Sequence, residues 1–401
     1  MNRKISEKIR YVGVNDHHKV IFEGLWPLPF GVSYNSYLVI DEKVALIDTA
    51  EADFSAEYLS NIRKQIGDRT IDYLVVNHME PDHSSLLGVI REIYPDIRIV
   101  TNAKAVPMIG GYYGVTDNIH VVKEGDTLSL GNSTLAFYMA PMVHWPETMV
   151  TYFVEEKTLF SGDAFGTFGA VDGGIADTDA RLCGWLDKTE NCFAEFKDEM
   201  TRYYSNIVGK YGQTVQAALK KLSGLEIKRI CSTHGPVWEN HVADVVAYYD
   251  RLSRYEAERG VCIAYSSMYG NTAQAAKALA AELTRRGVKC SLHNLCTENV
   301  SYAYRDVFKY DTIAIGAPTY NNDISPPAYN FMYGVCARLV KNRRFFAFGS
   351  FTWAGASVRL LNEMARKQDM ELISDGISFP QGYTPEKCDM AAVAELMSKQ
   401  Q

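Results

Sequence analysis

The densest chemistry in the chain is the run Asn77-His78-Met79-Glu80-Pro81-Asp82-His83, with two histidines and two carboxylates between positions 78 and 83. It follows the apolar stretch Tyr73-Leu74-Val75-Val76, so it falls on a loop beyond a strand end, where functional side chains are usually carried. Alternate residues of an extended segment point the same way, which predicts that His78, Glu80 and Asp82 converge while His83 turns onto a neighbouring site. Three further strand ends contribute Val143-His144-Trp145-Pro146, Ser161-Gly162-Asp163 and Thr233-His234-Gly235. Burying so many titratable groups without a cation would be costly, so the set predicts a metal centre. The remaining histidines (His17, His18, His120, His241 and His293) stand alone in the sequence and are assigned no role.

A second constellation lies further along. The strand-like Val261 to Tyr265 runs into Ser266-Ser267-Met268-Tyr269-Gly270-Asn271-Thr272 and then an alanine-rich helical pattern. A hydroxyl- and glycine-rich loop opening a helix suits an anion, because backbone N–H groups and the helix dipole point at it. The loops Pro318-Thr319-Tyr320-Asn321 and Ser350-Phe351-Thr352-Trp353-Ala354-Gly355 follow two other predicted parallel strands. In an open α/β sheet ligands bind beyond the carboxyl ends of strands, and Tyr320 and Trp353 offer faces to a planar ring.

The elements that must position these groups have two rhythms. From about 30 to 165, short apolar runs alternate with turns: 36–40, 44–47, 73–76, 97–100, 135–138 and 149–153 read as strands. Helical periodicity appears over 55–66 and 84–93, and again over 179–222, before a last strand at 227–232. Chemistry at strand ends of mixed strands and helices predicts a layered α/β fold. Residues 242–259 read as an amphipathic exit helix and linker. Beyond it, strands at 261–266, 288–294, 312–315 and 344–349, with a helix over 272–286, have the spacing of a doubly wound parallel sheet.

At 401 residues, with 47% hydrophobic and 22% charged residues, the chain has ample material for two cores. The net charge of -7 and the lack of a basic stripe argue against nucleic-acid binding. No apolar run is long enough to span a bilayer and no secretory leader is read, so a cytoplasmic protein is expected. The eight cysteines (183, 192, 231, 262, 290, 296, 336, 388) show no Cys-x-x-Cys spacing, which predicts reduced thiols and no iron–thiolate centre.

His78-x-x-x-Asp82-His83, the later His144, Gly162-Asp163 and His234-Gly235 together resemble the metallo-β-lactamase fold. Glu80 stands where zinc hydrolases of that fold carry histidine, and His-x-Glu-x-Asp-His is the pattern of flavodiiron proteins. Three carboxylates among seven ligands make a hard, anionic site that favours iron over a zinc-bound hydroxide. The second half resembles flavodoxin: Ser267-Met268-Tyr269-Gly270-Asn271-Thr272 matches Ser-x-Thr-Gly-x-Thr except at Tyr269, and no Gly-x-Gly-x-x-Gly replaces it, so FMN is preferred to NAD. The resemblance implies a metallo-β-lactamase-like αββα sandwich over 1–254 and a flavodoxin-like doubly wound parallel sheet over 255–401. It implies that His78, Glu80 and His144 hold the iron nearer the flavin, that Asp82, His83 and His234 hold the other, and that Asp163 bridges both. Relatives differ in whether the residue at His83 ligates. Tyr203 or Tyr204 would donate a hydrogen bond to a bound oxygen species.

The resemblance further implies electron flow through FMN to two non-haem irons, reducing dioxygen to water or nitric oxide to nitrous oxide. It implies an external donor, rubredoxin or a reduced deazaflavin, and a head-to-tail homodimer or dimer of dimers. The rival readings are a zinc-dependent hydrolase with an appended flavodoxin module, opposed by Glu80, and a non-catalytic electron carrier, opposed by the complete ligand set.

Overall fold

Residues 4–171, 174–179 and 192–399 are described by the computed structural model, so Cys183 and residues 180–191 of the helical stretch expected over 179–222 lie outside it. The chain divides into two compact units, Met1–Tyr203 with Gln213–Asp250, and Tyr204–Gly212 with Arg251–Gln401.

The first unit is built on two sheets. One runs in the order Ile9–Tyr11, Tyr37–Ile40, Val44–Ile47, Tyr73–Val75, Arg98–Asn102 and Ile119–Val122, with its last four strands parallel. The other runs Thr127–Ser129, Thr134–Met139, Met149–Phe153, Thr158–Gly162 and Arg229–Ser232. Val39, Ile47, Val75 and Val100 of the first sheet share one core with Phe137, Met149, Phe153 and Phe160 of the second. Burial of each such side chain contributes about 1.5–3 kcal/mol, which fixes the register of the strands beneath the loops. Helices Ser55–Ile66, Ala105–Tyr113, Cys192–Tyr203, Gly212–Leu222 and Val242–Ser253 accompany them.

The expected continuous helix over 84–93 is broken. Ser84 ends the single turn Pro81–Ser84, within which His83 leaves helical geometry at φ −136°, and a separate helix, Leu87–Ile93, begins only after Leu86. The His83 carbonyl is taken by the Thr49 N–H at 2.8 Å.

In the second unit a parallel sheet is ordered Cys290–Asn294, Glu258–Tyr265, Tyr310–Gly316 and Arg344–Phe351, with Glu371–Leu372 and Ile377–Pro380 both pairing with the last. That order is the flavodoxin-like doubly wound arrangement, mixed α/β as the sequence rhythm predicts. Ala275, Ala276, Leu279 and Leu283 lay one face of helix Asn271–Arg285 on Ile263, Ala314 and Phe346. The stretch Tyr204–Gly212 groups with this unit, which a single boundary along the chain does not express. Arg338 donates to the Ser205 carbonyl at 2.7 Å and stacks 3.7 Å above Tyr304, and the Tyr255 hydroxyl reaches the Gly209 carbonyl at 3.1 Å.

Candidate metal centre and flavin cleft

Seven side chains from four loops meet at one end of the first unit's sheets. His78 and Glu80 leave the end of strand Tyr73–Val75, and Asp163 and His234 leave Thr158–Gly162 and Arg229–Ser232. His144 comes from the connection between Thr134–Met139 and Met149–Phe153. All seven are buried.

They form two clusters. His144 Nε2 lies 2.9 Å from Glu80 Oε2 and 3.2 Å from Asp163 Oδ2, and His78 Nε2 is 3.5 Å from the same two oxygens. On the other side His83 Nε2 is 3.2 Å from Asp163 Oδ1, and His234 Nε2 is 3.2 Å from Asp82 Oδ2. Asp163 therefore turns one oxygen to each cluster. The expectation that Asp82 would converge with His78 and Glu80 does not hold. The turn at Pro81–Ser84 swings Asp82 to the side of His83 and His234, since an α-turn does not alternate its side chains as an extended loop does.

Hydrogen bonds behind the clusters fix the rings. Glu147 Oε1 sits 2.7 Å from His78 Nδ1 and accepts the Met79 N–H at 2.9 Å. His234 Nδ1–H donates to the Ser33 carbonyl at 2.8 Å, and the Thr233 hydroxyl donates to Asp163 Oδ1. Asp48 accepts from the Asn77 N–H at 2.7 Å and from its side-chain amide at 3.0 Å, holding the root of the ligand loop. Gly235, at φ +78°, lets that loop turn after His234; a Cβ there would lie 2.1 Å from Thr167 Oγ1.

Burial alone would raise the Asp163 pKa, but His83, His144 and His78 outweigh it and hold the carboxyl well below its usual range. Burial disfavours the charged form of His144, yet its bonds to Asp163 and Glu80 carry its pKa up to about 10. Glu23, on the turn between Ile21–Phe22 and Trp26–Pro27, is raised to about 7 by burial and then by the charge of Glu80, with the Trp26 indole donating to it at 2.9 Å. Sequence reasoning marks neither Glu147 nor Glu23: Glu147 follows Val143-His144-Trp145-Pro146 directly, but its place behind His78 rests on a contact between residues far apart in the chain, and Glu23 lies beside no ligand-like pattern.

The two tyrosines part company. The Tyr203 ring lies 5.5 Å from that of His234, and its buried hydroxyl has no hydrogen-bond partner among the described residues. Burial, then the charges of Asp163, Glu80 and Asp82, push its pKa well above 10, so it stays a neutral O–H. The Tyr204 ring packs 5.8 Å from Phe308 within the second unit.

In the second unit a cleft of about 340 Å³ opens beyond the strand ends. Of the residues expected there, Ser267, Met268, Tyr269, Asn271, Pro318, Thr319, Tyr320, Asn321, Ser350, Phe351, Thr352 and Trp353 line it, joined by Asn322, Ala354 and Gln381. Ser266, Gly270, Thr272 and Gly355 lie outside the lining. Ser266 is buried against the Ser325 hydroxyl, and Thr272 is buried 3.1 Å from the Ser350 hydroxyl. Gly270 supplies the turn at φ +89°, and Gly355 packs against Phe351 and Ser378. Tyr269 and Trp353 stand 89% and 83% exposed at the rim, as an open flat-ring site requires.

Residues 32–235 match the sequence profile of the ODP family beta lactamase, and residues 263–395 that of flavodoxin. The nitric oxide reductase of Moorella thermoacetica is 32% identical over 377 residues, 92% of this chain and 91% of that protein. The chain belongs to the flavodiiron proteins. An anaerobic nitric oxide reductase flavorubredoxin of Klebsiella pneumoniae is 32% identical over 93% of this chain and 76% of its own length. Among solved structures, rubredoxin oxygen:oxidoreductase from Desulfovibrio gigas superposes at a TM-score of 0.91, with 29% identity over 98% of this chain and 97% of that one. The flavodiiron protein of Giardia intestinalis gives 0.90, with 28% identity over 99% and 97%. This flavodiiron protein is accordingly an oxidoreductase, and its flavodoxin half is an FMN module.

Its residues fit both groups. His78 Nε2, both oxygens of Asp82, both nitrogens of His83 and His234 Nε2 are buried without hydrogen-bond partners among the described residues, a pattern that cations satisfy. Gly270, at the N-cap of helix Asn271–Arg285, has no side chain to cap it, and the Ser267 hydroxyl accepts the Gly270 N–H at 3.1 Å and the Ala273 N–H at 3.3 Å, shaping a loop at a helix N-terminus that suits a phosphate.

Proposed function

We propose that this flavodiiron protein takes electrons from an external donor through FMN and reduces dioxygen, nitric oxide or both at two non-haem irons. Reduction of dioxygen to two waters consumes four electrons and four protons; coupling of two nitric oxide molecules to nitrous oxide and water consumes two of each. The observation that carries the reading is Asp163, whose two carboxylate oxygens face separate histidine–carboxylate clusters. His78, Glu80 and His144 would hold one iron and Asp82, His83 and His234 the other, with Asp163 between them. The irons supply the one-electron cycling that FMN feeds.

The protein's own residues shape the chemistry. Glu147 and Ser33 orient the rings of His78 and His234. The Tyr203 O–H, buried beside His234, donates to an oxygen atom of the substrate and holds its proton there. Ser267, Asn271 and the N-terminal end of helix Asn271–Arg285 receive the FMN phosphate, with Tyr320 and Trp353 against the ring.

Rubredoxin is the proposed donor, with a reduced deazaflavin as the alternative; the name of the Desulfovibrio gigas oxidoreductase supports the first. A head-to-tail homodimer, or a dimer of such dimers, belongs to the reading on family resemblance, because it carries the flavin of one subunit to the irons of the next. A cytoplasmic setting is supported by free thiols at Cys231, Cys262 and Cys388, and no helix among the described residues is long and apolar enough to cross a membrane. Glu80→Ala tests the enzyme reading: flavin retained with gas consumption lost is expected, and undiminished consumption would contradict it.

A further inference from the structure

We propose that an apolar cavity behind the metal clusters is the entry and waiting site for a small apolar gas, with Phe165 as its gate; this rests on the gas-reducing function proposed above. The cavity encloses about 20 Å³ within the first unit. Room for one water-sized molecule needs roughly 10–15 Å³, so one diatomic fits. Apart from Tyr249, every lining residue is alanine, valine, leucine or phenylalanine. A water needs about two to four polar partners to reside in a cavity, so this one favours an apolar occupant.

Its place gives it a use. Val143, in one wall, directly precedes His144, and Ala164, in another, directly follows Asp163. The cavity thus abuts the backbone that carries two of the seven site residues. On its far side it shares Phe165, Leu219 and Leu222 with a larger groove of about 590 Å³, which reaches the exposed Ser223 and Lys228. The two spaces adjoin at the three shared residues, the inner one apolar and the outer one of mixed lining, with Ser223, Lys228, Glu239 and Asn240 among its walls.

Phe165 stands at the junction and is held in an unusual conformation. Its φ of +67° lies in the left-handed region, where a bulky aromatic residue is an outlier that the surrounding structure must enforce. The Trp238 indole donates to its carbonyl at 3.2 Å, and its ring lies 4.7 Å from that of Tyr249. The turn that closes the Asp163 loop, with the Gly166 N–H donating to the Asp163 carbonyl at 3.0 Å, is thereby coupled to the ring that walls both spaces.

Xenon-pressurised crystals of the protein as purified, together with the KM for dioxygen or nitric oxide of the iron- and FMN-loaded enzyme, test this in wild type and Leu219→Trp. Leu219 is half-buried on helix Gly212–Leu222, so a larger side chain there can fill the cavity from its edge. The expected result is xenon in the wild-type cavity and none in the variant, whose gas KM rises about tenfold with kcat, iron and flavin unchanged. Val215→Phe, from another turn of the same helix, repeats the test should the tryptophan variant not fold. Xenon absent from the wild-type cavity, or xenon excluded by the variants with KM unchanged, would overturn the proposal. A wild type that consumes neither gas would refute the proposed function instead, and the xenon result would still decide whether the cavity accepts an apolar guest.

Discussion

Glu147 stands behind His78, its Oε1 2.7 Å from Nδ1, so that the opposite ring nitrogen is left pointing at Glu80 and Asp163. A carboxylate in that place fixes the ring's tautomer and raises its basicity toward a metal. Glu147→Gln keeps the shape and removes the charge. It is expected to weaken iron retention by about 10–100-fold, read as iron lost on dialysis against a chelator, with FMN content unaltered. Iron retention equal to wild type would show that Glu147 serves only the backbone of Met79.

Tyr203 and Tyr204 are adjacent in sequence and face different neighbours, His234 and Phe308. Tyr203→Phe removes a buried hydroxyl beside His234 and is predicted to lower turnover roughly tenfold to a hundredfold, with both irons and the flavin in place. Tyr204→Phe, whose ring packs on Phe308, is predicted to leave turnover unchanged. Stopped-flow rates on the two variants check this, and the reverse ranking would reassign the donor.

The flavin loop depends on Gly270, whose φ of +89° only glycine adopts without cost. Forcing an L-residue toward left-handed geometry costs about 1–2 kcal/mol, so Gly270→Ala should weaken FMN binding roughly 5- to 30-fold. Fluorescence titration of the FMN-stripped protein measures it. The metal content should not change.

What the sequence could and could not display follows from how local each feature is. Residues 78–83 sit together on the chain and declare themselves, and the second half's strand–helix rhythm names its sheet before any contact is known. Strand alternation alone misplaces Asp82, because Pro81 starts a turn where alternation needs an extended loop; the family resemblance instead groups it with His83 and His234, beside which it lies. Glu147 and Glu23 gain their meaning from neighbours far along the chain, His78 and Glu80, which no spacing rule encodes. The edge strand Ile377–Pro380 is not legible in the sequence for a similar reason. It is short, preceded by Ser374-Asp375-Gly376, and exists because Arg344–Phe351 offers it a partner. The grouping of Tyr204–Gly212 with the second unit likewise rests on Arg338 and Tyr255, both distant in sequence.

His293 has no place among the metal-site residues and still predicts a pH dependence. Buried beside Asp306 at 2.8 Å and Glu298 at 2.9 Å, with Arg305 also on Asp306, it has burial opposing its charge but the two carboxylates prevailing, and its pKa rises to about 9. A folded-state pKa above the unfolded value contributes stability that is complete below about pH 6.5 and is lost as pH climbs through 9. The contribution is on the order of 3 kcal/mol. Thermal unfolding of wild type and His293→Gln should therefore show a gap at pH 6 that narrows above pH 9. A gap that does not vary with pH would mean the pair contributes packing and no charge.

The central claim is a di-iron, FMN-fed oxidoreductase in which Asp163 serves both metals. Metal and flavin analysis of anaerobically purified wild type and Asp163→Asn, with dioxygen and nitric oxide consumption from reduced rubredoxin, addresses it most directly. The account predicts two irons and one FMN per wild-type chain with turnover of at least one gas, and in the variant a full complement of FMN with both irons depleted and turnover lost. Zinc in place of iron, with neither gas consumed, would contradict it and favour a hydrolase carrying a flavodoxin module.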